Sequence, residues 1–167
     1  MCIRDRALTM QQLRSWSVHN ARWLKQVYGG FEAVLVWMSP LFERIGYERL
    51  DKPFAAVERV TKGVLLDSQN CGQCIVGFTG LACPMNCPKK LRNGPCGGVR
   101  ADGTCELDPD MTCVWVLAWE GNKRFRENGY PIQQLQPPVD HRLIGTSAWL
   151  REVRSKAGTT GGVAHEV

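Results

Sequence analysis

Seven of the eight cysteines in this 167-residue chain lie between positions 71 and 113: Cys71, Cys74, Cys83, Cys87, Cys96, Cys105 and Cys113. The tight pairs Cys71/Cys74 and Cys83/Cys87 can each supply two corners of one metal site, because a single turn brings both sulfurs to the same side. Two such pairs would satisfy a tetrahedral zinc and leave three thiols over. An iron–sulfur cluster takes four thiolates and tolerates irregular, glycine-rich loops around it. It also suits the dipeptides Cys83-Pro84 and Cys87-Pro88, where proline fixes the direction of the chain after the ligand. Glycines in Arg92-Asn93-Gly94-Pro95-Cys96-Gly97-Gly98 let backbone N–H groups approach sulfur without a Cβ in the way. Disulfides are the third use of paired thiols, and an odd count inside the cluster fits them poorly. The spacing leaves iron–sulfur and zinc both open, and seven thiols make one four-thiolate cluster plus part of a second site.

Helices must position this region. A capping box at Thr9-Met10-Gln11-Gln12 predicts a helix start, with Leu13, Trp16, Trp23, Leu24 and Val27 at helical spacing and Gly29-Gly30 as the stop. A second apolar segment runs from Phe31 to Met38, and Ser39-Pro40 opens a short turn that ends at Gly46. A third helix is predicted from Pro53 to Lys62, with Phe54, Val57 and Val60 on one side and Gly63 as the stop. Val64-Leu65-Leu66 reads as a short strand leading into the cysteines. Cys113–Trp119 restores an apolar element, Gln136–Asp140 reads as an extended linker, and Thr146 caps a last helix through Val153. The expected architecture is therefore a small, irregular α+β fold, with N-terminal helices packed on a metal-organised, cysteine-rich domain. Its divisions are a spurious or disordered start at 1–6, which sets Cys2 aside, a helical segment at 7–62, the cysteine-rich domain at 63–150, and a helix end with disordered tail at 151–167.

Charge narrows the function classes. The net charge of +5 is spread along the chain, and the cysteine region balances four basic against four acidic side chains. Lys89, Lys90, Arg92 and Arg100 thus read as a solvated rim, and no nucleic-acid partner is expected. No apolar run approaches the ~18 residues of a membrane span, and no secretory leader is read at the start, so a cytoplasmic protein without a membrane partner is expected. Trp16, Trp23 and Trp37 offer more aromatic surface than a thin helical layer can hide, which suggests a docking face for another protein.

The run Cys71-Gly72-Gln73-Cys74, followed by Cys83-Pro84-Met85-Asn86-Cys87-Pro88-Lys89 and by Arg92-Asn93-Gly94-Pro95-Cys96-Gly97-Gly98, is distinctive. With Asp102-Gly103-Thr104-Cys105-Glu106 and Cys113-Val114-Trp115, it resembles the C-terminal cysteine-rich domain family of methylenetetrahydrofolate reductases over roughly residues 62–150. The resemblance implies an iron–sulfur accessory or electron-transfer subunit of a flavin-dependent methylenetetrahydrofolate reductase in one-carbon metabolism, holding one 4Fe-4S cluster, or two, on the seven cysteines. FAD would sit only on the partner flavoprotein. The chain carries no dinucleotide fingerprint and is too short for a barrel of roughly 250 residues, so it is expected to be non-catalytic alone. A zinc-stabilised structural module that mediates protein association is the competing reading. The family pattern begins Cys-x2-Cys-x2-Cys, and its first position falls on Ser68. A three-thiolate site would then draw on Ser68, on His19 or His141, on a non-protein ligand, or hold zinc.

Overall fold

The computed structural model describes residues 3–125 and 131–160, with side chains at 10–125 and 131–158. Among these residues six α-helices follow in order: α1 (Ile3–His19), α2 (Ala21–Trp37), α3 (Ser39–Ile45), α4 (Tyr47–Leu66), α5 (Val114–Arg124) and α6 (Ala148–Thr160). Between α4 and α5 the chain is irregular, with one 3-10 turn at Pro84–Asn86. Among the described residues there is no sheet; strand pairing is limited to two isolated antiparallel bridges, Val99 with Cys105 and Thr104 with Thr112. The fold is thus helical, and the expected α+β class is incorrect. The expected metal-organised domain finds no support either, since no group of three or more potential ligands gathers among the described residues. Glycine and proline leave the cysteine region without a run long enough to pair as strands.

The predicted strand at Val64-Leu65-Leu66 is the last turn of α4, and the reason lies in that helix's inner face. Its buried residues are Ala55, Glu58, Lys62 and Leu66, a helical stripe whose middle two members are charged. Val57 and Val60, read from sequence as one side of a helix, and Val64, read as strand, are 58%, 66% and 59% exposed. Pro53 and Gly63 lie within α4. Gly29 and Gly30 likewise lie inside α2; the break comes at Asn20, whose backbone N–H and Nδ2 both donate to the Trp16 carbonyl at 3.0 and 2.9 Å. Ile3–Arg6 belong to α1 and α6 continues to Thr160, whereas Met1, Cys2 and 161–167 fall outside the described residues.

Three apolar clusters join the helices. Val18 of α1 packs with Ala82, Cys113, Val114, Trp115 and Ala118. Ala21 and Leu66 meet Val76, Leu81, Cys83 and Phe125. Leu35 and Phe42 meet Trp149, Leu150 and Val153 of α6. The N-terminal helices therefore share cores with the cysteine region. At Gly80 and Gly121 the turn before Cys83 crosses α5 so closely that a Cβ on either glycine would overlap the other strand of backbone. Asn122, 1% exposed, secures that crossing by donating to the Phe78 carbonyl at 3.0 Å and accepting from the Ile132 N–H at 3.1 Å.

The charged pair in α4 holds α6. Lys62 Nζ lies 2.6 Å from Glu58 Oε1, and the two side chains are 4% and 2% exposed. Glu58 Oε2 also accepts from Ser147 Oγ at 2.9 Å and from the Trp149 N–H at 3.2 Å, while Asp51 Oδ1 accepts from the Ser147 N–H at 3.0 Å. Two carboxylates thus meet the positive end of the α6 dipole. Ser147 Oγ in turn accepts from the Leu150 N–H at 3.3 Å, so the cap falls on Ser147 and not on Thr146, whose Oγ1 donates to the Leu143 carbonyl at 2.7 Å. Burial works against the Lys62 charge, but Cys74, Tyr28 and Glu58 outweigh it and raise the ammonium's pKa.

Two stability measurements check this arrangement. Lys62→Met leaves the Glu58 carboxylate buried without its cation and should cost about 3–5 kcal/mol in urea denaturation, whereas Glu58→Gln/Lys62→Met removes both charges and should cost less. Gly30→Ala, where an added Cβ meets nothing within 4 Å, should stabilise by about 0.5–1 kcal/mol.

Candidate metal centre

Asp67 delivers the chain from α4 into the cysteine region. It closes the helix in a left-handed conformation, φ 47°, and is anchored to α1 because Arg14 Nε donates to its carboxylate at 2.5 Å. Its carbonyl accepts from Asn86 Nδ2 at 2.8 Å, and Asn86 Oδ1 accepts from Gln69 Nε2 at 2.6 Å. These bonds lay the 67–70 segment against the turn that joins Cys83 to Cys87.

Cys71, Cys74 and Cys83 share one electrostatic environment there. Burial pushes the Cys83 thiol up to about 11, partly offset by the backbone N–H of Gln69, and both Cys74 and Cys71 push it further up. Burial likewise raises Cys74, against the pull of Lys62 and the backbone N–H of Val76. A sulfur flanked by backbone N–H groups and, at Cys74, by an ammonium is the surrounding a metal-bound thiolate uses. Cys87 is buried beyond the Pro84–Asn86 turn.

The other cysteines lie in different surroundings. Cys105 and Cys113 are buried; Cys105 bridges to Val99, and Cys113 caps α5 beside Trp115. Cys96 is exposed, with the Gly98 N–H 3.4 Å from its sulfur and Lys89 nearby. All seven are free thiols. Ser68 is half-buried, and His19 and His141 are exposed. Among the described residues no three His, Cys, Asp or Glu side chains form a group able to hold a metal ion. The donor types of the seven thiols suit an iron–sulfur cluster or zinc.

Sequence reasoning missed three residues of consequence here. Glu58 and Lys62, whose signal was their i, i+4 spacing, form the buried wall behind Cys74. Arg92, read as a rim cation, is 7% exposed and donates Nη2 to the Gln73 carbonyl at 2.9 Å between Cys71 and Cys74. Lys89 and Lys90 are exposed as expected.

A cavity of about 610 Å³ opens next to Cys74, lined by Lys25, Tyr28, Glu32, Lys62 and Lys156 among others. Burial raises the Tyr28 hydroxyl to about 12, so it remains a neutral phenol in the wall. No helix among the described residues is long and apolar enough to cross a membrane.

Comparison with known proteins gives one match. The family model described as methylene-tetrahydrofolate reductase C terminal covers residues 47–142, from the start of α4 to the turn before α6. No curated protein and no solved structure matches the chain.

Thiol burial predicts an order of reactivity. In a Cys2→Ser background under native conditions, iodoacetamide should label Cys96 first, with Cys83, Cys87, Cys105 and Cys113 slower by at least about tenfold until urea is added. Mass spectrometry of tryptic peptides reads the order, and rapid native labelling of Cys83 would contradict its placement.

Proposed function

Because the chain belongs to the methylene-tetrahydrofolate reductase C-terminal family, we propose that it serves a methylenetetrahydrofolate reductase as an accessory module, docking on the flavoprotein that carries out the chemistry. The observation that carries this reading is the outer face of α2 and α4. Trp23 and Trp37 are 60% and 81% exposed, and Val27, Val34, Val57, Val60 and Val64 stand exposed on the same two helices. An apolar face of this kind costs solvation unless something covers it, and tryptophan anchors dominate binding energy at interfaces. The inner face of α4 already carries the charged pair that the core requires, so the valines on its outer face are not there for the core.

Iron–sulfur ligation, with an electron-transfer role, is the finer part of the proposal. Its support is the residue type, the common field of Cys71, Cys74 and Cys83, and the backbone N–H groups beside them. It requires the irregular loops to draw these thiols together with a fourth donor, for which Cys87 stands next along the chain. Zinc in the same place would give the structural reading instead.

Association and metal content test the two parts separately. Trp23→Ser and Trp37→Ser should each weaken binding to the reductase by about tenfold while leaving the thermal midpoint nearly unchanged; equal loss of folding and binding would assign both residues to the core. Anaerobic purification followed by iron, sulfide and zinc analysis should find iron and sulfide that fall in Cys83→Ser. Zinc without sulfide would replace the electron-transfer reading with the structural one.

A further inference from the structure

The turn that carries Cys71 and Cys74 is clamped by two guanidiniums. Arg92 Nη2 donates to the Gln73 carbonyl at 2.9 Å, and Arg151 Nη1, from α6, donates to the Gly72 carbonyl. The Gln73 carbonyl also accepts from Cys71 Sγ at 3.5 Å, so Arg92 and Cys71 share one oxygen. The segment before α6 lies along the same turn. Gly72, at φ 72°, leaves no room for a Cβ against the Leu143 carbonyl. Gln73 Oε1 accepts from the Asp140 N–H at 2.7 Å, and the Gly145 N–H donates to the Asn70 carbonyl at 3.2 Å. Thr146 Oγ1 accepts from Arg151 Nη2 at 3.0 Å and so fixes the guanidinium over the turn.

The clamp carries charge that its own bonds do not meet. Among the described residues no carboxylate bonds either guanidinium: Arg92, 7% exposed, keeps Nε and Nη1 buried without a partner, and Asp140, which feels the Arg151 charge, is bonded by Arg142. Lys62, which also acts on Cys74, is already met by Glu58. A guanidinium cannot shed its charge by losing a proton, so its burial calls for negative charge nearby. Thiols that bind a metal do so as thiolates, and four of them leave zinc or an iron–sulfur cluster with a net negative charge. We propose that Arg92 and Arg151 are positioning residues for a metal held by Cys71 and Cys74. Through the Gln73 and Gly72 carbonyls they set the turn that presents both sulfurs, and their charge offsets that of the thiolates. The proposal rests on the metal-ligating part of the functional reading, with either metal. It extends the centre to α6, since Arg151 lies beyond the matched residues 47–142.

The test compares the full chain, purified anaerobically, as wild type, Arg92→Gln, Arg92→Lys, Arg151→Gln and Arg151→Lys. Metal is counted in each, and its release to a coloured chelator is followed by absorbance. Each Gln variant should release metal at least about tenfold faster than wild type, as loss of an outer partner of a ligand does. Each Lys variant should recover most of that difference, because an ammonium keeps the charge and can give the carbonyl the one N–H it receives. Where the metal is iron–sulfur, a dithionite titration reads the charge as well. Arg151→Gln should disfavour the more negative, one-electron-reduced cluster by about tenfold, ~59 mV, and Arg151→Lys should restore it. The Arg151 pair carries the test if the Arg92 variants do not fold. A wild-type chain without metal overturns the ligation reading and this proposal with it. Metal released at one rate from every chain overturns the proposal alone. So does equal loss in the Gln and Lys variants, which assigns the arginines to packing, and so does a potential unmoved in Arg151→Gln.

Discussion

The Glu58 carboxylate is the point on which the helical frame turns. It is nearly inaccessible to solvent, yet it accepts from Lys62, Ser147 and the Trp149 backbone, so its charge is met from three directions. A buried carboxylate is tolerated only under such conditions. Meeting them puts the cap of α6 at Ser147, and places Trp149 where Phe31 packs edge-on against it at a centroid distance of 4.8 Å. The same pair backs Cys74, since Lys62 reaches toward that sulfur as well as toward Glu58. One ion pair thus joins the last helix, the N-terminal helices and the start of the cysteine region.

A consequence appears on the opposite side of α4. With its inner stripe taken by Ala55, Glu58, Lys62 and Leu66, the valines are turned outward, as the tryptophans of α2 are. Among the described residues, the apolar side chains of α2 and α4 are therefore divided between internal clusters and exposed outer faces. An accessory module that works by docking has this distribution, because a face buried in its own core would be of no use to a partner. Family membership and the exposed face support the same reading from independent grounds, one from sequence pattern and one from packing.

How much of this was legible in the sequence varies with the kind of signal. The cysteine strings were sufficient for the family, because long runs of glycine, proline and cysteine at fixed spacing are specific. The fold class was misread for an identifiable reason. An apolar run of three at Val64-Leu65-Leu66 is the same whether it ends a helix or forms a strand, and only the charged inner stripe before it tells the two apart. Gly29-Gly30 misled in a similar way, since two glycines with open space around them cost a 17-residue helix only part of its packing energy. Arg92 was invisible as a buried residue because nothing local distinguishes it from Lys89 and Lys90; its place is set by the Gln73 carbonyl nineteen positions away.

The docking face is the claim on which the functional account rests, and footprinting reads it directly. Hydroxyl-radical oxidation of the wild-type chain, alone and with a methylenetetrahydrofolate reductase, reports the exposure of each tryptophan by mass spectrometry. The account predicts that Trp23 and Trp37, readily oxidised in the free chain, become protected on adding the reductase, while the buried Trp115 and Trp149 stay unreactive in both. Oxidation of Trp23 and Trp37 that is unchanged in a complex shown to have formed would contradict it.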